Sequence, residues 1–257
     1  MNFIKYEVAD RIATITLNRP EKRNALSGLL VEELKDAFRQ ASADVEVKVI
    51  VLAAEGDAFC AGADLAYLQQ LQNNTYEENL ADSQNLMALF QLIYELDKVV
   101  IARVQGHAIA GGCGLATVCD FSFTVPEAKF GYTEVRIGFI PAIVKVFLLR
   151  KIGEGRAKEL LLSGDLIEAE RAVELGLINR VVTTTDLDIE VYGFARKLVA
   201  KNSAQSMALT KAMIGKVQTM TVAEGLEYAA QQTATARGSV DCQKGIAAFL
   251  NKEKVVW

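Results

Sequence analysis

Histidine occurs once and proline three times in the 257 residues, and the four cysteines (Cys60, Cys113, Cys119 and Cys242) form no C-x-x-C pair. One histidine cannot complete a mixed Cys/His set. A structural zinc site and a disulfide framework are therefore disfavoured, and reduced thiols in a cytoplasmic protein are the expectation. Ser-His or zinc hydrolysis would depend wholly on His107. No run of about 18 apolar residues occurs, and the opening MNFIKYEVADRIATITLNRP lacks the basic-then-apolar order of a secretory leader, so no membrane association is expected. G-K-[ST] and G-x-G-x-x-G are both absent, which argues against a Walker-type loop and a dinucleotide fingerprint.

An excess of basic charge is missing too. With 28 Lys and Arg against 32 Asp and Glu, the formal charge is −4 and the isoelectric point is near 5.3. An extended basic surface for nucleic acid is therefore not expected. One phosphorylated ligand remains compatible, through Lys22 and Arg23 early in the chain and Lys252 and Lys254 late.

What is present alternates strand and helix signals. Residues 3–8 and 11–18 read as a hairpin, residues 29–41 as a one-faced helix starting after Ser27, and Val49-Ile50-Val51-Leu52 as a buried strand. A Gly-containing loop at 55–66, a helix around 76–96, a strand at 99–104, a Gly-rich turn into a helix at 106–119 and a strand at 121–125 follow. This order predicts an α/β core with a partly parallel sheet. From about residue 154 the pattern is mostly helical, with residues 156–162, 168–175, 188–200, 203–216 and 222–236 as candidate segments, and no linker rich in Pro, Gly or Ser sets it apart. The expected division is a core over 1–190 and a helical region over 191–257 that packs on the core or on a neighbouring subunit.

Two glycine-bearing segments carry the chemistry. Phe59-Cys60-Ala61-Gly62-Ala63-Asp64-Leu65 follows a strand and consists largely of small residues, which lets a ligand approach the backbone. Gly106-His107-Ala108-Ile109-Ala110-Gly111-Gly112-Cys113-Gly114-Leu115 opens a helix, whose free N–H groups favour negative charge. Either loop alone fits a bland turn or tight helix packing equally well.

Taken together and in order, these segments resemble the crotonase (enoyl-CoA hydratase/isomerase) superfamily over essentially the whole chain. The N-terminal signature is Asn18-Arg19-Pro20-Glu21-Lys22-Arg23-Asn24-Ala25-Leu26, and Phe130 to Gly138, Ala172 to Asn179 and Gly245 to Leu250 also match. The resemblance implies a spiral of ββα units with a helical C-terminal trimerisation region, assembled as a homotrimer or homohexamer. It implies an acyl-CoA thioester substrate, with CoA as part of the substrate and no separate cofactor or metal.

By position, the N–H groups of Ala63 and Gly111 would form an oxyanion hole and Glu134 would be the acid/base. Arg23, Ala25, Ala61, Asp64, Leu65 and Gly114 would line the substrate, with Ala61 and Leu65 offering backbone groups to the adenine end. Phe249 and Lys252 match positions that reach the CoA of an adjacent subunit. Asp64 has two readings, one that meets substrate and one that caps the next turn. His107 is expected to pack or order its loop, and Cys60 and Cys113 to fill tight turns rather than act as nucleophiles.

The pattern departs from typical hydratases at Gly114, where a second glutamate would stand. Glu134 alone suits a double-bond isomerase, which shuttles one proton between carbons. Against that, G-G-x-G-L combined with T-E-V-R-I-G-F-I-P-A-I-V resembles the methylglutaconyl-CoA hydratase branch. Water activation would then come from Glu134 acting twice, from another side chain, or, as the favoured expectation, from the substrate's distal carboxylate in the room left at Gly114. Hydration of a 2-enoyl-CoA is the leading expectation, isomerisation the second, and a non-catalytic acyl-CoA-binding protein the third.

Overall fold

A computed structural model describes residues 1–257, apart from the side chain of Leu65. Strands β1 (Ile4–Ala9) and β2 (Ile12–Leu17) form the expected antiparallel hairpin, turning through Asp10 and Arg11, both at positive φ. Helix α1 (Gly28–Ala43) starts where Ser27 accepts a hydrogen bond from the Leu30 N–H, and it buries Leu30, Leu34, Ala37, Phe38 and Ala41. That is the apolar face visible in the sequence.

Strands β3 (Val49–Ala54) and β4 (Ala58–Cys60) come next, then α2 (Leu65–Leu71) and α3 (Tyr76–Glu95). β5 (Val99–Val104) and β6 (His107–Ile109) lead into α4 (Gly111–Val118). β7 (Phe121–Thr124) and β8 (Lys129–Gly131) lead through a 3-10 turn at Glu134–Ile137 into α5 (Val144–Ser163), which Gly153 breaks at φ 77°. The chain continues with β9 (Ile167–Glu168), α6 (Ala169–Glu174), β10 (Arg180–Val181) and α7 (Leu187–Lys201). It ends with α8 (Ala204–Val217), α9 (Val222–Arg237) and α10 (Val240–Leu250).

The strands sort into two sheets. The larger has the order β1-β2-β3-β5-β7-β10 and the smaller β4-β6-β8-β9. Each pair β3/β4, β5/β6 and β7/β8 gives its first strand to the large sheet and its second to the small one before a helix returns the chain. This is the ββα spiral that the resemblance implies. β2, β3, β5, β7 and β10 run parallel in the large sheet, and all six residues of β3 are buried. Such uniform burial is why Val49 to Leu52 reads as a continuous apolar run rather than an alternation.

The expected border between residues 190 and 191 falls inside α7. This helix buries Leu187, Val191, Ala195 and Leu198 against the large sheet, so it belongs to the core. Helices α8, α9 and α10 differ, since none of them contains a buried residue. No helix among the described residues is long and apolar enough to cross a membrane.

Candidate active site

The three parallel strands of the small sheet lie side by side in the order β4, β6, β8, and each delivers one candidate group just beyond its carboxyl end. β4 runs into Ala61 to Asp64, β6 into Ala110 and Gly111, and β8 into Tyr132, Thr133 and Glu134. Adjacent strands are about 4.8 Å apart, so register alone brings residues 63, 111 and 134 to one end of the sheet.

Contacts between the loops tighten this arrangement. Gly62 has φ +91°, and a Cβ on it would sit 3.0 Å from the Ala110 Cβ and 3.2 Å from the Ile109 carbonyl oxygen. Ala110 itself takes φ 50° and ψ −123°, a costly conformation for a residue with a side chain. It is held there by its N–H, which donates to the Gly131 carbonyl at 2.8 Å. A Cβ at Gly112 would overlap the Cys60 carbonyl, so glycine is what lets α4 seat on the end of β4.

Leu26 links the first two loops. Its N–H donates to the Gly62 carbonyl at 2.7 Å and its carbonyl accepts from the Asp64 N–H at 2.9 Å. That parallel bridge turns the N–H of Ala63, between them, to the opposite side. The same side chain would lie 3.0 Å from a Cβ at Gly111. Among the described residues, the N–H groups of Ala63 and Gly111 donate to no backbone carbonyl. The Gly111 N–H also lies in the first turn of α4, at the positive end of its dipole.

Glu134 is half-buried at the start of its 3-10 turn, and its Oε2 is buried with no hydrogen-bond partner. Desolvation pushes its pKa above the ordinary carboxylate value, only partly opposed by its own backbone N–H. A carboxyl group in this condition binds and releases protons closer to neutrality than a surface glutamate does, which suits an acid/base.

Several expected contacts resolve differently. Gly114 has no vacant space beside it, because a Cβ there would overlap Val144 Cγ1 and lie 3.0 Å from Cε1 of Phe90. The room expected for a substrate carboxylate is filled by this chain's own apolar side chains. Asp64 caps rather than reaches out. Its Oδ1 accepts from the N–H groups of Ala66 at 2.8 Å and Tyr67 at 3.3 Å, starting α2. Its Oδ2 lies 2.8 Å from Nη1 of Arg19, a charge contact too far off the N–H axis to count as a hydrogen bond. Ala61 spends its N–H on the Arg23 carbonyl at 3.0 Å, which leaves its carbonyl as the group able to meet a ligand.

Arg23 is exposed at φ 50°, and Ala25 is buried beneath it with its N–H on the Lys22 carbonyl. The backbone of Leu65 begins α2, and its side chain lies outside the described residues. Phe249 and Lys252 sit exposed at the end of α10, a helix packed on α8 and α9.

His107 is exposed and orders its loop: its Nδ1 accepts from the Lys129 N–H at 3.1 Å. Cys60 and Cys113 are buried, and burial pushes their thiols up to about 12 and about 11. Neither is a thiolate nucleophile near neutral pH. No group of three or more His, Cys, Asp or Glu among the described residues could hold a metal. Two cavities, of about 680 and 890 Å³, lie along α8 and are lined by none of Ala63, Gly111 or Glu134.

Sequence reasoning missed the groups that hold the loops. Asn24 is wholly buried at φ 53°, its Oδ1 accepts from the Arg19 N–H, and its Nδ2 donates to the carbonyls of Glu55 and Ala58. The available signal was an asparagine, the side chain most at ease in a left-handed turn, inside the Arg19-to-Leu26 motif. Tyr132, Thr117, Val144 and Phe90 carried no signal, since each reads as ordinary core.

Two unpaired N–H groups and one desolvated carboxyl group thus gather at one end of the small sheet, the kinds of group that chemistry beside a carbonyl gathering negative charge requires. The family model for enoyl-CoA hydratase/isomerase matches residues 7–257, and the chain belongs to that family. A Thermus thermophilus protein provisionally named an enoyl-CoA hydratase is 42% identical over 94% of this chain and 95% of its own length. The crotonyl-CoA hydratase of Syntrophomonas wolfei is 34% identical over 96% and 95%. The crystal structure of an enoyl-CoA hydratase from Mycobacterium smegmatis superposes with a TM-score of 0.93 at 32% identity, covering 99% of this chain and 98% of that one.

Proposed function

We propose that this protein is an enoyl-CoA hydratase that adds water reversibly to a 2-enoyl-CoA thioester. The observation that carries the reading is the buried, partnerless Oε2 of Glu134, set beyond the last of three parallel strands whose other two lead to free N–H groups. Ionised Glu134 takes a proton from water as the water oxygen bonds to C3. The C2=C3 electrons move toward the thioester, and the N–H groups of Ala63 and Gly111 hold the resulting enolate oxygen. Glu134, now neutral, returns the proton to C2. One carboxylate thus serves as base and then as acid. Each N–H donor contributes on the order of 3 kcal/mol to such a transition state.

The methylglutaconyl-type acyl group keeps the support of the motif around Gly114 and Pro141, but not of a vacant space beside Gly114. Any distal carboxylate would have to bind elsewhere. A second reading, isomerisation of a 3-enoyl-CoA to the 2-enoyl form, is favoured by the absence of a carboxylate at position 114 and by the apolar packing of Val144 and Phe90 there. For the CoA moiety, the reading uses the exposed cation of Arg23, the Ala61 carbonyl, the start of α2 at Leu65, and Phe249 and Lys252 of an adjacent subunit. A trimer or hexamer is supported by the exposed Val222, Leu226, Val240, Phe249 and Leu250 on α9 and α10.

The test mixes purified protein with crotonyl-CoA, 3-methylglutaconyl-CoA and a 3-enoyl-CoA in ¹⁸O-labelled water, with mass analysis of the products. Label at C3 of a 3-hydroxyacyl-CoA is expected. Conversion of the 3-enoyl-CoA alone, without label, would replace hydration by isomerisation. No turnover of any of the three would leave acyl-CoA binding as the function.

A further inference from the structure

We propose that Tyr132 and Thr117 form a positioning pair, which fixes Glu134 in orientation against the helix that carries the Gly111 N–H. The inference rests on the reading of Glu134 and Gly111 given above and adds two residues that this reading does not contain. Tyr132 is wholly buried two residues before Glu134, and Thr117, also buried, lies in the last turn of α4. The Thr117 hydroxyl stands 2.7 Å from the Cys113 carbonyl oxygen and 3.0 Å from the Tyr132 hydroxyl. A threonine hydroxyl has one hydrogen, and a carbonyl can only accept. That hydrogen therefore goes to Cys113, and Tyr132 must be the donor to Thr117.

The bond is one of two ties between the same segments. The other is the Ala110 N–H donating to the Gly131 carbonyl at 2.8 Å, at the opposite end of α4. Residues 111 and 117 are about 9 Å apart along a helix axis. Packing on α5, β4 and β6 already holds α4 as a body, and two ties that far apart set how the Glu134 segment lies along it, which one tie alone does not. Thr117 is anchored in turn, because Lys151 Nζ donates to its carbonyl at 2.8 Å and to that of Cys119 at 3.2 Å. The Tyr132 hydroxyl is thus attached to a fixed point, and Glu134 follows from it through one intervening residue.

The experiment measures kcat and KM on crotonyl-CoA, with thermal unfolding in parallel, for Tyr132→Phe, Thr117→Val, the double variant, Thr117→Ser and Glu134→Gln. A misplacement of about 1 Å can cost up to 10²-fold in rate, so a loss of about tenfold in kcat with KM within about twofold is expected for Tyr132→Phe and for Thr117→Val. The double variant should lose no more than either single one, and Thr117→Ser, which keeps the hydroxyl, should recover at least half of kcat. Folded Tyr132→Phe with kcat within about twofold of the parent would overturn the pair, as would losses that multiply in the double variant. Should Tyr132→Phe fail to fold, Thr117→Val and Thr117→Ser decide the matter alone. Glu134→Gln separates the two levels. If it stays active, the assignment of Glu134 has failed; if it is inactive while Tyr132→Phe is not slowed, only the positioning role has failed.

Discussion

The Glu134 side and the Gly114 side of the site are built from opposite materials. On the first, a carboxyl oxygen is buried without a partner, an arrangement that costs stability and persists where chemistry uses it. On the second, a glycine lies under Val144 and Phe90 with no polar atom of its own side chain and no room for one. The contrast teaches that the missing glutamate is more than a deletion. Its place is packed, so this protein is committed to one carboxylate by its core as well as by its sequence.

The largest expected effect concerns the charged side. Glu134→Gln keeps shape and removes the acid/base, so kcat should fall by about 10²–10⁴-fold with KM little changed, as steady-state kinetics would show. More than about a tenth of the parent kcat would remove Glu134 from its role.

Changes on the packed side should act on the fold first. Gly114→Glu is expected to yield little folded protein, whereas Gly114→Glu with Val144→Gly gives the new carboxylate a place. A rise in hydration of crotonyl-CoA in the double variant, absent from either single one, would sharpen the contrast; equal activity of Gly114→Glu and the parent would break it. Gly114→Ala is the milder form. Overpacking against Val144 should destabilise by about 1–3 kcal/mol in denaturant melts, less whatever alanine gains in a helix, and Val144→Ala in the same chain should offset part of the loss.

A smaller effect separates the sides by pH. Because burial raises the Glu134 pKa in the folded state, the unfolded chain gives up this proton at lower pH than the native one does. Stability linked to this group is complete below the ordinary glutamate value and is lost as pH rises through the raised native value. Glu134→Gln, which cannot ionise, should therefore melt above the parent at pH ~8 and lose that advantage near pH ~4. An unchanged difference across that range would show that Oε2 is not desolvated in solution. The smallest effect is on the thiols. Cys60 and Cys113, raised to about 12 and about 11, should resist iodoacetamide in the native state, while half-buried Cys242 reacts. Labelling of Cys113 before unfolding would mean that the segment between the two sides opens.

Much of this architecture was legible because local signals are strong where elements are long. The β1–β2 hairpin, α1 with its Ser27 cap, β3, α3, β5, β7, and helices α6 to α9 follow from periodicity, caps and apolar runs. The small sheet was not legible. β4, β6 and β8 have three residues each, too few to show a period, and they pair across gaps such as Ala58 to His107 and Ala108 to Phe130. Helix α10 went unread as a helix, and the start of α5 was hidden before the break at Gly153.

The sequence by itself determined the family, through Asn18 to Leu26, the two glycine-bearing loops and the Glu134 segment, because residues that must meet a backbone or a ligand closely tolerate few substitutes. It also determined that zinc, dinucleotide and nucleic-acid readings were poor ones. Tertiary structure alone decided that Asp64 caps α2, that Val144 and Phe90 fill the place beside Gly114, and that Tyr132 ties the Glu134 segment to α4. The reason is physical. A side chain's partner is set by which strand ends lie next to one another, and that adjacency comes from pairings between residues some 20 to 50 positions apart, which no local pattern records.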